Sequence, residues 1–248
     1  MGDSMIITSL DNDRIKSYIK LKDRKYRKRT KTFIVEGLHS VIEAYKKDMI
    51  IEIILEKDEV MPFDVPCVYV TQEIINAISS VETPSKIMAL CKMSDNKEVI
   101  GDKILLLDNI QDPGNLGTII RSACAFNVDT IVLSPDTADV YSPKVLRSTQ
   151  GMIFHINIVV GDLITTVDEL KQREIPVYGT RVEYGEDVSL LKEKDKKSYA
   201  LIMGNEGNGV SDKLLDKCDK YLCIEMNDNV ESLNVAVATG IILYELNK

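Results

Sequence analysis

Residues 201–210 read LIMGNEGNGV, an apolar run that gives way to three glycines separated by polar side chains. The apolar residues 200–203 predict a buried strand, and Ser211, followed by an apolar-periodic segment, predicts the start of a helix. Gly204, Gly207 and Gly209 allow positive φ and let a ligand approach the main chain closely. Their spacing matches neither G-x-G-x-x-G nor the phosphate-binding loop with its lysine. The residues alone leave two interpretations open, a ligand cradle and a tight turn that needs glycine.

Composition describes an ordinary soluble protein. The chain has 248 residues, enough for one large or two modest domains, with 44% apolar and 28% charged residues. It does not begin with the basic and apolar segments of a secretory signal peptide, and it has no apolar run of about eighteen residues. We therefore expect a cytoplasmic protein without a membrane partner. The five cysteines form no C-x-x-C pair and are expected to be reduced. The chain has only two histidines, so no histidine-based site and no metal is predicted.

The charge is unevenly distributed. Residues 1–32 carry ten Lys or Arg against four Asp, which is +6, although the net charge of the chain is −8. This basic cluster is dense enough to bind a phosphate backbone by releasing counterions, and the acidity of the remaining chain favours that interpretation over a solvated helix face. The predicted RNA-binding residues are Lys22, Arg24, Lys25, Arg27, Lys28, Arg29 and Lys31.

The first part of the chain alternates strands and helices. Asp11 or Asn12 can cap a helix that runs to about Leu21, after which an irregular basic segment is predicted up to Thr32. Strands are predicted at 33–37, 50–56, 67–70 and 86–92, with helices at 39–47 and 72–79. The alternation predicts a small α/β domain over residues 1–93, and the polar segment 94–102 predicts a linker.

The second part, residues 103–248, restarts the alternation. Strands are predicted at 103–107, 130–133, 154–160, 176–180, 199–203 and 221–224, with helices at 116–126, 144–150, 163–172, 211–218 and 233–246. Repeated strand–helix units with continuously apolar strands predict a mostly parallel sheet covered on both faces. Ligands of such sheets bind at the carboxyl ends of the strands. That rule selects the loops after Leu107, Val177, Met203 and Ile224.

The loop after Leu107 reads DNIQDPGNLGTIIR and contains two polar candidates, Asn115 and Arg121. On a helix beginning near Asn115 the two lie about 120° apart and nearly two turns along the axis. An arginine in an apolar helix is costly to bury without a partner. The pattern leaves two interpretations, a structural pair with Asp108 or Asp112 and a functional role.

The loop after Ile224 leads into the final helix. Ser232 is expected to be the helix N-cap. Asn234 is expected one turn inside the apolar helix, where capping does not explain the choice of an asparagine.

These segments together carry a family resemblance. NxxDPxNxGxxxRxA occurs in Asn109–Ala123, MGNEGxGV in Met203–Val210 and IxMxxxxxSLNVAVA in Ile224–Ala238. The three motifs resemble those of the SpoU-type (TrmH-like) RNA 2′-O-ribose methyltransferases of the SPOUT class, and YSPKVLRSTQGMIFH in Tyr141–His155 is also similar. FIVEG in Phe33–Gly37 with its following helix resembles the N-terminal substrate-binding domain of the longer members, which is like a ribosomal protein that binds kinked RNA.

The resemblance implies an S-adenosylmethionine-dependent methyltransferase domain of α/β fold with a trefoil knot, dimeric through the knotted region. Knots are otherwise nearly absent from proteins. The family usually has glycine at the position of Asn127, and we expect the turn to survive because asparagine tolerates the left-handed conformation. The implied catalytic residues are Asn115, Arg121, Glu206, Ser232 and Asn234. The implied cofactor-binding residues are Thr180, Met203, Gly204, Asn205, Gly207, Ile224, Met226 and Leu233.

The implied reaction is attack of a ribose 2′-oxygen on the sulfonium methyl group. Arg121 is expected at the 2′-oxygen, and electrostatic stabilisation is preferred to general-base catalysis because the pKa of arginine lies above about 12. Ribosomal RNA is the favoured substrate because of the added N-terminal domain. The alternatives are a tRNA 2′-O-methyltransferase and a non-catalytic RNA-binding protein that retains the fold. A dinucleotide-dependent oxidoreductase is disfavoured because G-x-G-x-x-G is absent after the first strand of either half.

Overall fold

The computed structural model describes residues 6–95 and 98–248. Residues 1–5 of the predicted N-terminal domain, and residues 96–97 of the predicted linker, lie outside the described residues. Up to residue 95 the elements are α1 (Asp13–Lys20), α2 (Arg24–Thr30), β1 (Thr32–Glu36), α3 (Leu38–Lys46), β2 (Ile50–Glu56), β3 (Cys67–Val70), α4 (Gln72–Ile78) and β4 (Ile87–Lys92).

From residue 98 onward the strands and helices again alternate. The elements are β5 (Lys103–Leu107), α5 (Pro113–Ala125), β6 (Thr130–Leu133), α6 (Pro143–Thr149), β7 (Asn157–Val160), α7 (Leu163–Gln172), β8 (Val177–Thr180), β9 (Glu186–Asp187), α8 (Glu193–Lys196), β10 (Tyr199–Met203), α9 (Asp212–Leu215), β11 (Lys220–Cys223) and α10 (Val235–Leu246). Two short 3₁₀ helices lie at Met152–Phe154 and Val188–Leu190. Among all the described residues, 6–95 and 98–248, no helix is both long and apolar enough to cross a membrane.

The chain forms two compact units. The first comprises Met1–Asp95 and Asp139–His155, and the second comprises Asn96–Ala138 and Ile156–Lys248. The first unit contains a four-stranded sheet of order β1-β4-β2-β3, in which β2 and β3 are parallel and the other pairs antiparallel. Its core forms because the apolar faces of α1 and α4 cover one side of this sheet, where Ile15, Tyr18, Ile54, Ile74 and Met88 pack together.

Residues 139–155 belong to the first unit through contacts made by their side chains. The Tyr141 ring lies 4.7 Å from the Phe33 ring, and the Phe154 ring stacks on Phe33 at 6.0 Å. His155 Nε2 lies 2.6 Å from a carboxylate oxygen of Glu43. These contacts hold α6 and the following 3₁₀ helix against β1 and α3.

The second unit contains a seven-stranded sheet of order β7-β6-β5-β10-β8-β11-β9, and every described strand pair in it is parallel. The central strand β10 is buried at all five positions, and its neighbour β5 is apolar and buried from Ile104 to Leu107. Continuous apolar strands form such a sheet because both faces are covered by helices. The prediction of a mostly parallel α/β sheet is confirmed.

Several local predictions were wrong. The irregular basic segment is helix α2, whose N-cap Asp23 accepts a hydrogen bond from Tyr26 N. The strand predicted at 154–160 begins only at Asn157, because a 3₁₀ helix precedes it. The helix predicted at 211–218 ends at Leu215.

The turn at Asn127 adopts φ +57°, so the left-handed conformation expected there is confirmed.

Candidate active site

The four loops selected from the sequence come together at one edge of the second unit's sheet. Strands β5, β10, β8 and β11 are consecutive neighbours, and they are paired in parallel. Their carboxyl ends therefore lie at the same edge, which is where parallel α/β sheets bind ligands. The four loops selected from the sequence therefore share one edge, because their selection depends only on strand direction.

A cavity of about 630 Å³ opens at this edge. That volume lies within the range of about 300–1,000 Å³ that is usual for small-molecule and cofactor sites. Glu206 and Ser232 line this cavity. It is also lined by all eight cofactor-binding residues predicted from the sequence, which are Thr180, Met203, Gly204, Asn205, Gly207, Ile224, Met226 and Leu233. Apolar side chains such as Leu215, Leu222 and Ile242 form other parts of the wall. The cavity thus suits a ligand that has both apolar and polar parts.

The loop after β10 is folded tightly on itself. Asn205 and Gly209 exchange main-chain hydrogen bonds of 3.0 and 2.9 Å, and Gly209 adopts φ +68°. A Cβ atom at Gly204 would lie 2.0 Å from the carbonyl carbon of Gly209 and 2.1 Å from Val210 N. Gly204 is therefore required by close backbone packing. The loop is a tight turn, as one interpretation of the sequence had it, and it also lines the cavity, so its role as a ligand cradle stays a prediction.

The Asn205 side chain stabilises this loop through hydrogen bonds. Its Oδ1 accepts hydrogen bonds from Gly207 N at 2.9 Å and Asn208 N at 3.2 Å, and its Nδ2 donates to Asn109 O at 2.8 Å. One side chain therefore orders the loop after β10 and also ties it to the loop after β5.

Three of the predicted catalytic residues form a hydrogen-bonded chain. Asn115 Nδ2 donates to Glu206 Oε1 at 3.1 Å, and Asn234 Nδ2 donates to Asn115 Oδ1 at 3.0 Å. Glu206 also accepts main-chain hydrogen bonds from Gln111 at 3.2 Å and Asp112 at 3.1 Å. The loops after β5, β10 and β11 are thus joined through side chains.

This arrangement keeps Glu206 ionised. Burial alone would raise the pKa of the Glu206 carboxyl, but the hydrogen bonds from the Asn115 side chain and from nearby main-chain N–H groups outweigh that effect. The pKa is lowered below its ordinary value. Glu206 is therefore an acceptor at neutral pH rather than a proton donor.

The capping expectations at the final helix were wrong. The N-cap of α10 is Asn234, whose Oδ1 accepts hydrogen bonds from Ala236 N at 3.0 Å and Val237 N at 3.3 Å. The helix begins at Val235, two residues later than predicted, so Asn234 precedes its first turn. Ser232 lies before the helix, where it is exposed and lines the cavity. Asn234 both caps α10 and contacts Asn115.

Arg121 lies on α5, six residues after Asn115, and its side chain is exposed. From the sequence, Arg121 was expected to be buried in an apolar helix and to need a partner. Exposure removes that need, because solvent already hydrates the guanidinium. The carboxylates of the two proposed partners are engaged by main-chain groups: Asp108 accepts from Ser211 N, and Asp112 accepts from Asn115 N.

The loop that follows β8 was selected from the sequence, but Thr180 was the only cofactor-binding residue predicted there. The cavity is also lined by the next four residues, Arg181, Val182, Glu183 and Tyr184. Tyr184 is 89% exposed and adopts φ +60°. The rule on carboxyl ends of strands would have included them, since they follow β8 directly.

The predicted RNA-binding cations lie in the first unit around α2. Lys22, Arg24, Lys25, Lys28, Arg29 and Lys31 are exposed, whereas Arg27 is buried. Arg27 donates to the main-chain oxygens of Leu21 and Lys22 and forms an ion pair with Asp139 at 2.5 Å. Because its guanidinium is occupied inside the unit, Arg27 holds residues 139–155 in place, while its exposed neighbours face solvent.

Comparisons with known proteins cover most of the chain. The profile of the SpoU rRNA Methylase family matches residues 102–244, and that of the MRM3-like substrate binding domain matches residues 12–89. The 23S rRNA (guanosine(2553)-2′-O)-methyltransferase RlmP of Bacillus subtilis (strain 168) is 43% identical over 245 residues, which are 97% of this chain and 98% of that protein.

Two solved structures that contain AdoMet are similar in fold. The rRNA methyltransferase from Sinorhizobium meliloti has a TM-score of 0.83 and 28% identity, covering 98% of this chain and 97% of its own. The SpoU methyltransferase AviRb from Streptomyces viridochromogenes has a TM-score of 0.85 and 25% identity, covering 95% of this chain and 97% of its own.

Proposed function

The chain belongs to the SpoU rRNA methylase family, and we propose that it methylates a ribose 2′-hydroxyl of ribosomal RNA by means of Arg121 and the Asn115–Glu206–Asn234 chain. It is an RNA 2′-O-ribose methyltransferase that uses S-adenosylmethionine as its cofactor. The observation that carries the proposal is the position of this hydrogen-bonded chain. It reaches the cavity through Glu206, and all the predicted cofactor-binding residues line the same cavity.

The cavity residues fit the cofactor. Gly204 permits close backbone packing, and the loop after β10 presents main-chain groups together with Asn205 and Thr180, whose hydroxyl is anchored on Ile202 O at 3.0 Å. Leu233 and Ile242 provide apolar contact. When bound, S-adenosylmethionine supplies an electrophilic methyl group on a sulfonium sulfur.

The chain's own residues act on the ribose. Arg121 stabilises the developing charge on the 2′-oxygen and the adjacent phosphate, as an exposed guanidinium on α5 can do. Asn115 and Asn234 orient the ribose because their amides are fixed by Glu206 and by the start of α10. Ser232 supplies a hydroxyl at the cavity edge. Positioning of the two substrates contributes much of the acceleration.

Ribosomal RNA is favoured over tRNA because the curated relative named as a 23S rRNA methyltransferase is similar over nearly the whole chain, including the first unit. We assign RNA binding to residues 1–93, a linker to 94–102 and methyl transfer to 103–248, although residues 139–155 of the last segment pack within the first unit. The two profile matches, 12–89 and 102–244, support these boundaries. The exposed cations Lys22, Arg24, Lys25, Lys28, Arg29 and Lys31 would contact the phosphate backbone.

We further propose a trefoil knot, a homodimer and a cytoplasmic location. Membership of the family whose motifs imply a knot supports the first of these. Val237 and Tyr244 of α10 support the dimer: they are 51% and 52% exposed and lie on the same face, seven residues apart. Light scattering of the purified protein would test the dimer.

Mapping of 2′-O-methylation in total RNA, with and without the protein, tests the function. We expect one ribosomal nucleotide to lose its methyl group when the protein is absent. Loss at a tRNA nucleotide alone would instead support the tRNA alternative. Calorimetry with S-adenosylmethionine separates an enzyme from a non-catalytic RNA-binding protein, since only the enzyme is expected to bind it.

A further inference from the structure

A second cavity lies wholly within the first unit. Its volume is about 230 Å³, and it is formed by the end of α4 with the following loop, by β1, by α6 and by the segment that joins α1 to α2. This volume is below the range of about 300–1,000 Å³ typical of drug-sized ligands. The cavity has room for one small planar group, not for a folded RNA element.

The walls of this cavity combine apolar side chains with two cations. Apolar side chains form much of its surface: Leu21, Ile34, Ile78, Met88 and Leu146. Two exposed cations, Lys22 and Arg147, also line it. Unstacked RNA bases are bound by this combination, in which the base contacts apolar or aromatic groups and the flanking phosphates meet cations.

Glu36 provides a specific polar group in this cavity. Its Oε1 accepts hydrogen bonds from Ser85 N at 2.8 Å and, with Oε2, from Ser79 Oγ at 3.0 Å. These bonds fix the carboxylate and leave acceptor capacity on both oxygens. A carboxylate repels a phosphate group, whereas it accepts hydrogen bonds from amino and imino groups of bases.

We propose that this cavity binds one unstacked base of the RNA substrate, and that Glu36 selects a base carrying an amino group. Guanine fits best, because its adjacent N1–H and N2–H groups match the two oxygens of a carboxylate. Uracil lacks an amino group and is disfavoured. The inference rests on the proposed function, since it presumes an RNA substrate.

Methyl NMR of the full chain labelled with ¹³C-methyl methionine tests the proposal. The Met88 methyl group reports on this cavity, and Met203 and Met226 report on the cofactor cavity. We expect 5′-GMP to shift the Met88 signal, and to bind about tenfold more tightly there than 5′-UMP, which is the effect of one charged hydrogen bond. A short uridine RNA with one guanosine should bind more tightly than GMP.

Glu36→Gln should remove most of the preference for GMP over UMP. The matched control is Glu82→Gln, an exposed carboxylate on the same loop that does not line the cavity. Retention of the wild-type Met88 signal without ligand establishes that the variant is folded. Equal affinities of GMP and UMP for the wild-type protein, or an unchanged preference in Glu36→Gln, would refute the role of Glu36.

The two proposals fail in different ways. If S-adenosylhomocysteine shifts Met203 and Met226 while GMP leaves Met88 unchanged, the inference is wrong and the proposed function stands. If GMP shifts Met203 instead of Met88, the nucleotide occupies the cofactor cavity and the inference is again wrong. A Met88 shift with GMP but none with the guanosine RNA would assign the cavity to a free nucleotide. If S-adenosylhomocysteine moves neither Met203 nor Met226, the proposed function itself fails.

Discussion

The Asn115 side chain donates a hydrogen bond to Glu206 across 91 residues of sequence, and the two groups lie 3.1 Å apart. Asn115 also accepts a hydrogen bond from Asn234, the residue that caps the final helix. One amide therefore connects three separate loops of the sheet edge. The three loops are held together by side chains that lie far apart in the sequence, each in a different family motif.

Replacement of Arg121 by alanine tests the catalytic assignment. We expect kcat for methyl transfer to fall about 10²- to 10³-fold, the usual effect of removing one donor that stabilises transition-state charge. Cofactor affinity should not change, because Arg121 does not line the cavity. Arg121→Lys should recover part of the rate, since it restores charge without the two-pronged geometry. Near-normal methyl transfer in Arg121→Ala would exclude the assignment.

The pH dependence of stability tests the role of Glu206. Its pKa is lowered in the folded state, so its contribution is fully present above the ordinary glutamate pKa of about 4.3. That contribution is lost as the pH falls through the lower folded-state pKa. The Tm difference between wild type and Glu206→Gln should therefore be largest near neutral pH and shrink under acid conditions. The control is Glu193→Gln in α8, and parallel Tm curves for Glu206→Gln and wild type would contradict the prediction.

Gly204 and Gly207 form a matched pair for testing the loop after β10. A methyl group at Gly204 would meet main-chain atoms of Gly209 and Val210 at 2.0 and 2.1 Å. At Gly207 the nearest atom would be Asn205 Oδ1 at 3.6 Å, an ordinary contact. We expect Gly204→Ala to lose S-adenosylmethionine binding by calorimetry and to lower Tm, while Gly207→Ala keeps its fold. Equal Tm values for the two variants would show that close packing at Gly204 is not limiting.

Two substitutions at Asn234 separate its capping role from its contact with Asn115. Asn234→Ala should destabilise the protein by about 1 kcal/mol in urea unfolding, because α10 loses its N-cap. Asn234→Ser keeps a capping oxygen but is too short to donate to Asn115, so stability should be retained while kcat falls. If Asn234→Ser retains the full rate, the hydrogen bond to Asn115 has no catalytic role.

The basic surface of α2 is tested by salt dependence. Changing Lys25 and Lys28 to alanine should weaken RNA binding, and each lost phosphate contact should reduce the slope of log affinity against log salt by about 0.7–0.9. Lys192→Ala with Lys194→Ala removes the same charge from the second unit and is the control. Arg27→Ala should instead lower Tm, because Arg27 is buried against Asp139. Unchanged affinity and slope in the α2 variant would reject this surface as an RNA contact.

The class of fold and the sheet edge that carries the candidate site follow from the sequence alone. Strands such as residues 103–107, 130–133 and 199–203 form where predicted, because continuous apolar runs can be buried only inside a covered sheet. The position of a loop at the carboxyl end of a parallel strand follows from strand direction alone, so the sequence was sufficient to select the loops that line the cavity. The left-handed turn at Asn127 was predictable for a similar local reason.

Which polar groups lie in contact depends on the tertiary structure. Asn234 caps α10 and bonds to Asn115, and Arg27 is buried while its basic neighbours are exposed. Residues 139–155 join the first unit through Phe33, Glu43 and Arg27. Each of these outcomes depends on a partner that is distant along the chain, and the periodicity of a segment carries no information about such a partner.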